Sequence, residues 1–185
     1  MKSHLPNMHM KGFGRTLRKY AAEVGPYADI VEVGSWLGGS AFHLAEASGD
    51  LNTLHLYDKW TASGSEVVKA RLRGEQRLKL GHSFKHIVEE NLSGFGDRIK
   101  FNQCDIRRAE YHGRQIGLYV DDASKNRLNE VLPIFEPYFM PGTIVMLMDY
   151  FWEPCDGQRD FVEKQGWEFL ARDEFDTNCA IWRVR

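Results

Sequence analysis

The segment over residues 29–40, DIVEVGSWLGGS, constrains the fold of this chain more than any other part of the sequence. Its first five residues form an apolar run that is typical of a strand buried in a parallel sheet. The glycines that follow allow the backbone to turn sharply and to approach a ligand closely. A helix that begins at Gly38 or Gly39 would present free N–H groups to that ligand. With a second strand over residues 52–58, the segment predicts a βαβ unit.

The remaining pattern predicts an α/β fold, with a Rossmann-like, doubly wound and mostly parallel sheet of seven strands. Three more strands of this sheet are expected over residues 99–105, 116–121 and 143–148. Residues 167–172 and 179–184 also have strand patterns, but they lie too close together in the chain for a parallel crossover. They therefore predict a C-terminal antiparallel hairpin.

Helical patterns occupy much of the chain between these strands. Outside the first βαβ unit and the long connection described below, helices are expected over residues 14–24, 124–138 and 157–164. Pro133 lies inside the second of these and predicts a kink or a division there, because proline removes a helical hydrogen bond. Pro141 and Gly142 predict a turn before the fifth strand.

The connection over residues 59–97 is longer than a simple crossover needs. It contains two helical patterns, over residues 65–80 and 83–92, which Gly81 separates. We interpret the surplus as a helical insertion that covers the carboxyl edge of the sheet or forms an oligomer contact, which makes a homodimer plausible. Without a linker or an internal repeat, residues 1–185 are expected to form a single domain.

Composition limits the class of protein. The chain has 185 residues, of which 43% are hydrophobic and 27% charged, as in ordinary globular proteins, and its net charge of −2 argues against binding dominated by nucleic-acid phosphates. Cys104, Cys155 and Cys179 form no CxxC pair, which suits a reducing compartment. Residues 1–12 lack the apolar core of a signal peptide, and no stretch has the length of a membrane span. We therefore expect a cytoplasmic protein with no membrane partner.

Three acidic residues near predicted strand ends suggest the type of ligand. The glycine spacing after the first strand is not G-x-G-x-x-G, and Glu32 on that strand would repel phosphates but suit an ammonium group. Asp58, at the end of the second strand, can accept hydrogen bonds from two ribose hydroxyls. Asp105, after the third strand, can meet an adenine amino group or cap the next turn. A nicotinamide-dependent oxidoreductase is a weaker alternative because of the glycine spacing.

Several motifs together resemble the class I S-adenosyl-methionine-dependent methyltransferases: VEVGSWLGGSA, the acid in LYDKW, QCD, YVDDAS and FMPGTIVMLMDY. Within this class the pattern is closest to the small-molecule O-methyltransferases of sugar-modifying and natural-product pathways, and it covers roughly residues 30–150. The resemblance implies an S-adenosyl-methionine site with the following cofactor-binding residues: Glu32, Gly34, Ser35, Trp36, Gly38, Gly39, Asp58, Trp60 and Asp105. In this site Trp60 would pack near the adenine.

Asp121 lies at the carboxyl end of the fourth predicted strand, and Asp149 lies at that of the fifth. Ligands of open α/β sheets bind at this edge. The two carboxylates could bind Mg²⁺ and orient an acceptor hydroxyl, or one could act as a general base without metal. One of the acids could instead cap the following segment, and Asp122 is the strongest candidate for that role. The sequence departs from the metal-dependent pattern at Tyr150, where the resemblance implies a third oxygen ligand.

These observations favour methyl transfer from S-adenosyl-methionine to a hydroxyl, or less readily an amine, of a small molecule or sugar. The alternative is a catalytically silent cofactor-binding or interaction module on the same fold. The missing third metal ligand motivates that alternative.

Overall fold

The computed structural model describes residues 12–152 and 156–185; residues 1–11, the bulk of the segment assessed for a signal peptide, and Cys155 lie outside the described residues. The seven strands are β1 (Asp29–Val33), β2 (Leu54–Asp58), β3 (Ile99–Gln103), β4 (Ile116–Asp121), β5 (Phe139–Leu147), β6 (Glu168–Arg172) and β7 (Ala180–Arg183). The six α-helices are α1 (Phe13–Ala22), α2 (Gly39–Ala47), α3 (Gly64–Leu72), α4 (Lys85–Leu92), α5 (Leu128–Phe135) and α6 (Asp156–Glu163).

All seven strands form one sheet in the order β3-β2-β1-β4-β5-β7-β6. β1 to β5 pair in parallel, and β7 is antiparallel to both β5 and β6. The Rossmann-like, mostly parallel sheet and the C-terminal hairpin are therefore confirmed. The strand order runs outward in opposite directions from β1 and β4, so the carboxyl ends of these two strands form the topological switch point where such sheets bind ligands.

Side chains on the two faces of the sheet pack into separate hydrophobic clusters. On β1, Ile30 joins the cluster that contains α1, α2 and α4, whereas Val31 joins the cluster that contains α5 and α6. All five residues of β1 are buried, as predicted for a strand covered on both faces. This double burial fixes the position of the loop that follows β1.

The predicted helix over residues 65–80 is wrong in length, because α3 ends at Leu72. Gly74 has φ +84° and its N–H donates to the Arg71 carbonyl, while the Glu75 N–H donates to the Ala70 carbonyl. This pair of bonds is a Schellman motif, which ends a helix. The chain then returns to residues 60–62, where the Phe84 N–H donates to the Trp60 carbonyl.

The predicted division at Pro133 and the turn at Pro141 and Gly142 are corrected. α5 contains Pro133 and is not divided there; the proline lies on the exposed face, where water can solvate the carbonyl that loses its partner, and a kink at this position stays a prediction. Single turns of 3-10 helix flank α5 on both sides. Pro141 and Gly142 do not precede β5 but lie within it, at a register irregularity opposite β4. The Gly142 N–H donates to the Val184 carbonyl, so the strand continues through the irregularity.

The insertion over residues 59–97 contributes to the carboxyl edge of the sheet and also exposes apolar side chains. α3 carries Glu66 into the wall of a cavity described below. Val68, Leu72 and Leu80 are 57%, 80% and 69% exposed, respectively. The homodimer contact stays a prediction for this surface. In the described part of the chain, no helix combines the length and apolarity needed to cross a bilayer.

At the opposite edge of the sheet, the buried Asp29 carboxylate organises the residues that precede β4. It accepts hydrogen bonds from the Tyr111 hydroxyl at 2.8 Å and from the backbone N–H of Arg114 at 2.8 Å, and it lies 3.1 Å from His55 Nε2. The Arg114 guanidinium completes the network with a contact of 2.7 Å. Burial alone would raise the pKa of Asp29, but the hydrogen bonds from His55, Arg114 and Tyr111 outweigh it and lower the pKa to about 2.

We expect Asp29→Asn to lower the free energy of unfolding by about 2 kcal/mol at neutral pH, which is the cost of losing this pKa shift. Urea denaturation at several pH values measures it, with Asp50→Asn as the exposed control. Because the folded-state pKa is depressed, the difference from wild type should persist above pH 3.8 and vanish as the pH falls through about 2. A difference that does not depend on pH would contradict this account.

Candidate functional site

A cavity of about 550 Å³ opens at the carboxyl edge of the sheet, over the switch point between β1 and β4. Four loops and one helix build its wall. The lining residues are Gly34 and Trp36 after β1, Asp58 and Lys59 at the end of β2, Glu66 on α3, Cys104, Asp105, Ile106 and Arg107 after β3, and Asp122, Ala123, Lys125 and Arg127 after β4. The predicted cofactor residues Gly34, Trp36, Asp58 and Asp105 therefore share one cavity.

The Asp58 carboxylate joins the loops that follow β1 and β2. Its Oδ2 accepts the backbone N–H of Trp36 at 2.9 Å, and its Oδ1 accepts the backbone N–H of Trp60 at 2.8 Å. Both tryptophans have left-handed backbones, with φ of 42° and 40°. Burial raises the pKa of Asp58, although the two N–H groups act in the opposite direction. Each oxygen keeps a lone pair for a further donor from the cavity.

The loop after β1 approaches the loop after β4 at Gly34. A Cβ atom built on Gly34 would lie 2.8 Å from the Ala123 Cβ and 3.1 Å from the Ala123 nitrogen, and Gly34 has φ +91°. The chain then turns through a hydrogen bond of 2.8 Å from the Gly38 N–H to the Ser35 carbonyl, and α2 begins at Gly39 as predicted. Glu32 and Ser35 are buried, and the cavity wall does not include them.

Trp60 does not line the cavity, contrary to its predicted place beside an adenine. Its side chain is fully buried in the cluster that contains α1, α2 and α4, with its ring 6.0 Å from that of Phe101. Its backbone N–H bonds to Asp58, while its side chain packs in the core. Trp36 is the tryptophan that reaches the cavity instead.

Asp105 lies on the exposed side of the cavity and is held by Arg107. The guanidinium donates two hydrogen bonds to the carboxylate, at 3.0 and 2.5 Å, and the Arg107 backbone N–H donates a third at 3.1 Å. The hydrogen bonds from Arg107 keep the pKa of Asp105 below its usual value. Asp105 therefore caps the following 3-10 turn and remains charged at the rim.

Asp121 has an internal role that does not fit the predicted metal or catalytic role. Its Oδ1 accepts the backbone N–H groups of Ala123 and Ser124, at 3.0 and 2.8 Å. Its Oδ2 accepts the hydroxyls of Tyr119 and Ser124, at 2.7 and 2.5 Å. Four donors saturate a carboxylate that is only 3% exposed. Asp121, and not Asp122, is thus the acid that caps the turn after β4.

Asp149 lies beyond the end of β5, past the residue that pairs with Asp121. Asp121 pairs in register with Leu147 of β5, so Asp149 lies two residues further along the chain. Its Oδ2 contacts the Lys125 ammonium, which also lies 4.0 Å from Asp122. Among the residues that the structure describes, no three His, Cys, Asp or Glu side chains form a metal-binding group.

No protein-family model and no curated protein matches the sequence. Solved structures do match. A putative O-methyltransferase from Klebsiella pneumoniae aligns with a TM-score of 0.69 and 17% identity over 98% of this chain and 84% of that one. The O-methyltransferase NovP aligns with a TM-score of 0.69 and 16% identity, over 92% of this chain and 78% of NovP. CalS11, a TDP-rhamnose 3'-O-methyltransferase in calicheamicin biosynthesis, aligns with a TM-score of 0.64 and 16% identity, over 92% of this chain and 76% of CalS11.

The chain has the Rossmann-like methyltransferase fold. At these identities the similarity concerns the fold, and it does not transfer a substrate from one chain to the other. The methyltransferase fold accounts for the ordering of a parallel sheet that ends in the β5-β7-β6 arrangement.

Sequence reasoning missed much of the charged lining of the cavity. Lys59, Glu66, Arg107, Lys125 and Arg127 all line it without having been proposed. Three of them lie within four residues of a strand end, and a search of every loop after a parallel strand would have found these. Glu66 offered no such signal, because it reaches the cavity through α3.

Gly34 and Gly74 form a matched pair for testing the junction at the switch point. Both have positive φ, but a Cβ atom on Gly74 would meet nothing within 4 Å. We expect Gly74→Ala to lower the free energy of unfolding by about 1 kcal/mol, through backbone strain alone. Gly34→Ala should lower it by about 3 kcal/mol, because the clash with Ala123 adds to the strain. Equal effects in chemical denaturation would show that the junction is not tightly packed.

Proposed function

We propose that this protein is an S-adenosyl-methionine-dependent methyltransferase that acts on a hydroxyl, or less readily an amine, of a small molecule or sugar. One observation carries the proposal: on a methyltransferase fold, the cavity lies at the switch point with the Asp58 carboxylate in its wall. The names of the structural neighbours NovP and CalS11, both O-methyltransferases, support this choice of reaction.

The lining of the cavity fits the proposed cofactor. Its volume falls within the range of small-molecule sites, roughly 300–1,000 Å³. In our proposal Asp58 receives the ribose hydroxyls, Trp36 supplies the aromatic surface first assigned to Trp60, and Asp105 meets the adenine edge. Gly34 allows the loops after β1 and β4 to meet at the cavity wall. For Glu32, Ser35, Gly38 and Gly39, cofactor contact rests on the resemblance and on their place in the same loop.

The bound cofactor would supply an electrophilic methyl group on a sulfonium. The task of the chain is then to orient the acceptor oxygen in line with that group. Asp149 is proposed to accept the hydroxyl proton as the new oxygen–carbon bond forms and the carbon–sulfur bond breaks, with its electron pair left on sulfur. Asp121 cannot share this role, because its oxygens are saturated.

Mg²⁺ does not fit the residues at this end of the sheet. Asp121 offers no open lone pair, and a lysine ammonium contacts Asp149. No step of the proposed reaction passes through a metal. Because the proposed reaction needs no metal, the lack of a third metal ligand at Tyr150 does not favour a silent binding module. The small-molecule acceptor, the cytoplasmic location and the lack of a nucleic-acid partner stay predictions.

Calorimetric titration with S-adenosyl-methionine tests the proposal directly. We expect saturable binding to wild type and a loss of at least about tenfold in affinity for Asp58→Asn, because a hydrogen bond to a charged group is replaced by one to an amide. Asp50→Asn, at the opposite edge of the sheet, is the control and should bind like wild type. Folded protein that gives no heat at millimolar cofactor would end the proposal.

Asp149→Asn separates an enzyme from a silent module. With radiolabelled cofactor and a panel of sugar and phenolic acceptors, methyl transfer by wild type should fall by about 100-fold or more in the variant. Cofactor affinity should stay within about twofold of wild type, because the cavity wall does not include Asp149. A wild-type rate in the variant would remove Asp149 from the mechanism.

A further inference from the structure

The ammonium group of Lys125 lies between two carboxylates beyond the ends of β4 and β5. It contacts Asp149 Oδ2 and lies 4.0 Å from Asp122 Oδ1. The Trp152 ring, whose centroid is 5.8 Å from Lys125 Nζ, forms an adjacent aromatic side. Lys125 also lines the cavity, and its side chain is 40% exposed. The group is therefore fixed by its neighbours and accessible to a ligand.

The backbone holds this contact in place from both sides. Lys125 has φ 46° and Asp149 has φ 56°, both in the left-handed region that residues with a side chain rarely adopt. Two such residues that follow different strands and touch each other are an independent sign of a functional arrangement, because strained backbones concentrate at active sites.

We propose that the Lys125 ammonium takes the place of a divalent cation at this position and holds the hydroxyl oxygen of the acceptor. The acceptor role rests on the proposed function, whereas the exclusion of metal rests on the geometry alone. The site would therefore accept a neutral hydroxyl compound that brings no metal-chelating pair of oxygens.

Charge and coordination explain why the ammonium excludes a metal. Mg²⁺ requires close oxygen ligands in near-octahedral geometry. Among the described acids at the ends of β4 and β5, Asp122 and Asp149 would have to supply them, because four hydrogen bonds saturate Asp121. Asp149 Oδ2 contacts the Lys125 ammonium, so a metal bound by Asp149 would lie close to a second cation, and the two cations would repel each other.

An ammonium can also perform the positioning that a metal would perform. It carries three N–H donors, so a contact with Asp149 is compatible with a further hydrogen bond to a ligand oxygen in the cavity. A fixed positive charge beside that oxygen stabilises the negative charge that develops as its proton leaves.

Mn²⁺ binding, followed by electron paramagnetic resonance on the full chain without cofactor, tests the proposal. Wild type should bind Mn²⁺ no more tightly than millimolar. Lys125→Gln should bind it at least roughly tenfold more tightly, because two carboxylates lose their cation. The double variant Lys125→Gln/Asp149→Asn should lose that gain. Lys85→Gln is the matched control, since Lys85 also pairs with a carboxylate, Glu89 at 3.2 Å, away from the cavity.

Each outcome of the Mn²⁺ experiment either supports or overturns the proposal. A gain in Lys125→Gln that Asp149→Asn abolishes, with Lys85→Gln like wild type, supports the proposal. Micromolar Mn²⁺ binding by wild type overturns it, and so does a gain below tenfold in Lys125→Gln with a wild-type melting temperature. If that variant is unfolded, Lys125→Met replaces it under the same criteria. Because no cofactor is present, a failure here is distinct from a failure of the calorimetric test of the proposed function.

Discussion

The hydrogen bonds from two backbone N–H groups to the Asp58 carboxylate hold the functional edge of this protein together. Trp36 follows β1 and Trp60 follows β2, and one buried side chain fixes both loops at distances of 2.9 and 2.8 Å. The left-handed backbones of both tryptophans persist because this carboxylate compensates their strain. Both side chains are buried in the same core cluster, but Trp36 also lines the cavity, whereas Trp60 does not. A ligand that bonds to Asp58 would thus contact the residue that shapes its own site.

The charges around the cavity are balanced rather than of one sign. The side chains of Lys59, Arg107, Lys125 and Arg127 face Asp58, Glu66, Asp105 and Asp122 across or beside it. A site for a polyphosphate would instead concentrate positive charge. Balanced charge suits a ligand that carries both signs, such as the amino-acid part of the proposed cofactor together with its sulfonium. The same pattern explains why Asp105 stays charged at the rim, where Arg107 holds it.

Sequence reasoning succeeded where a single strand determines the outcome. The buried pattern of β1, the glycine turn and the start of α2 follow from local periodicity and backbone freedom, and the structure agrees with each. It failed where the partner of a side chain decides its role. Asp121 and Asp149 both lie near strand ends. The fold is needed to show that Tyr119 and Ser124 donate hydrogen bonds to Asp121 and that Lys125 contacts Asp149. Trp60 failed for the same reason, because its side chain packs in the core beside Phe101, a contact that its position after β2 does not reveal.

The placement of β7 between β5 and β6 has a consequence for how the sheet is assembled. Within the described chain, β6 pairs with β7 alone, although β6 precedes β7 in the sequence. β6 can therefore join the sheet only through β7, either together with β7 as a hairpin or after β7 has docked against β5. Until β7 docks, the backbone N–H and C=O groups along β5 are unprotected, and they remain open to pairing with a strand of another molecule.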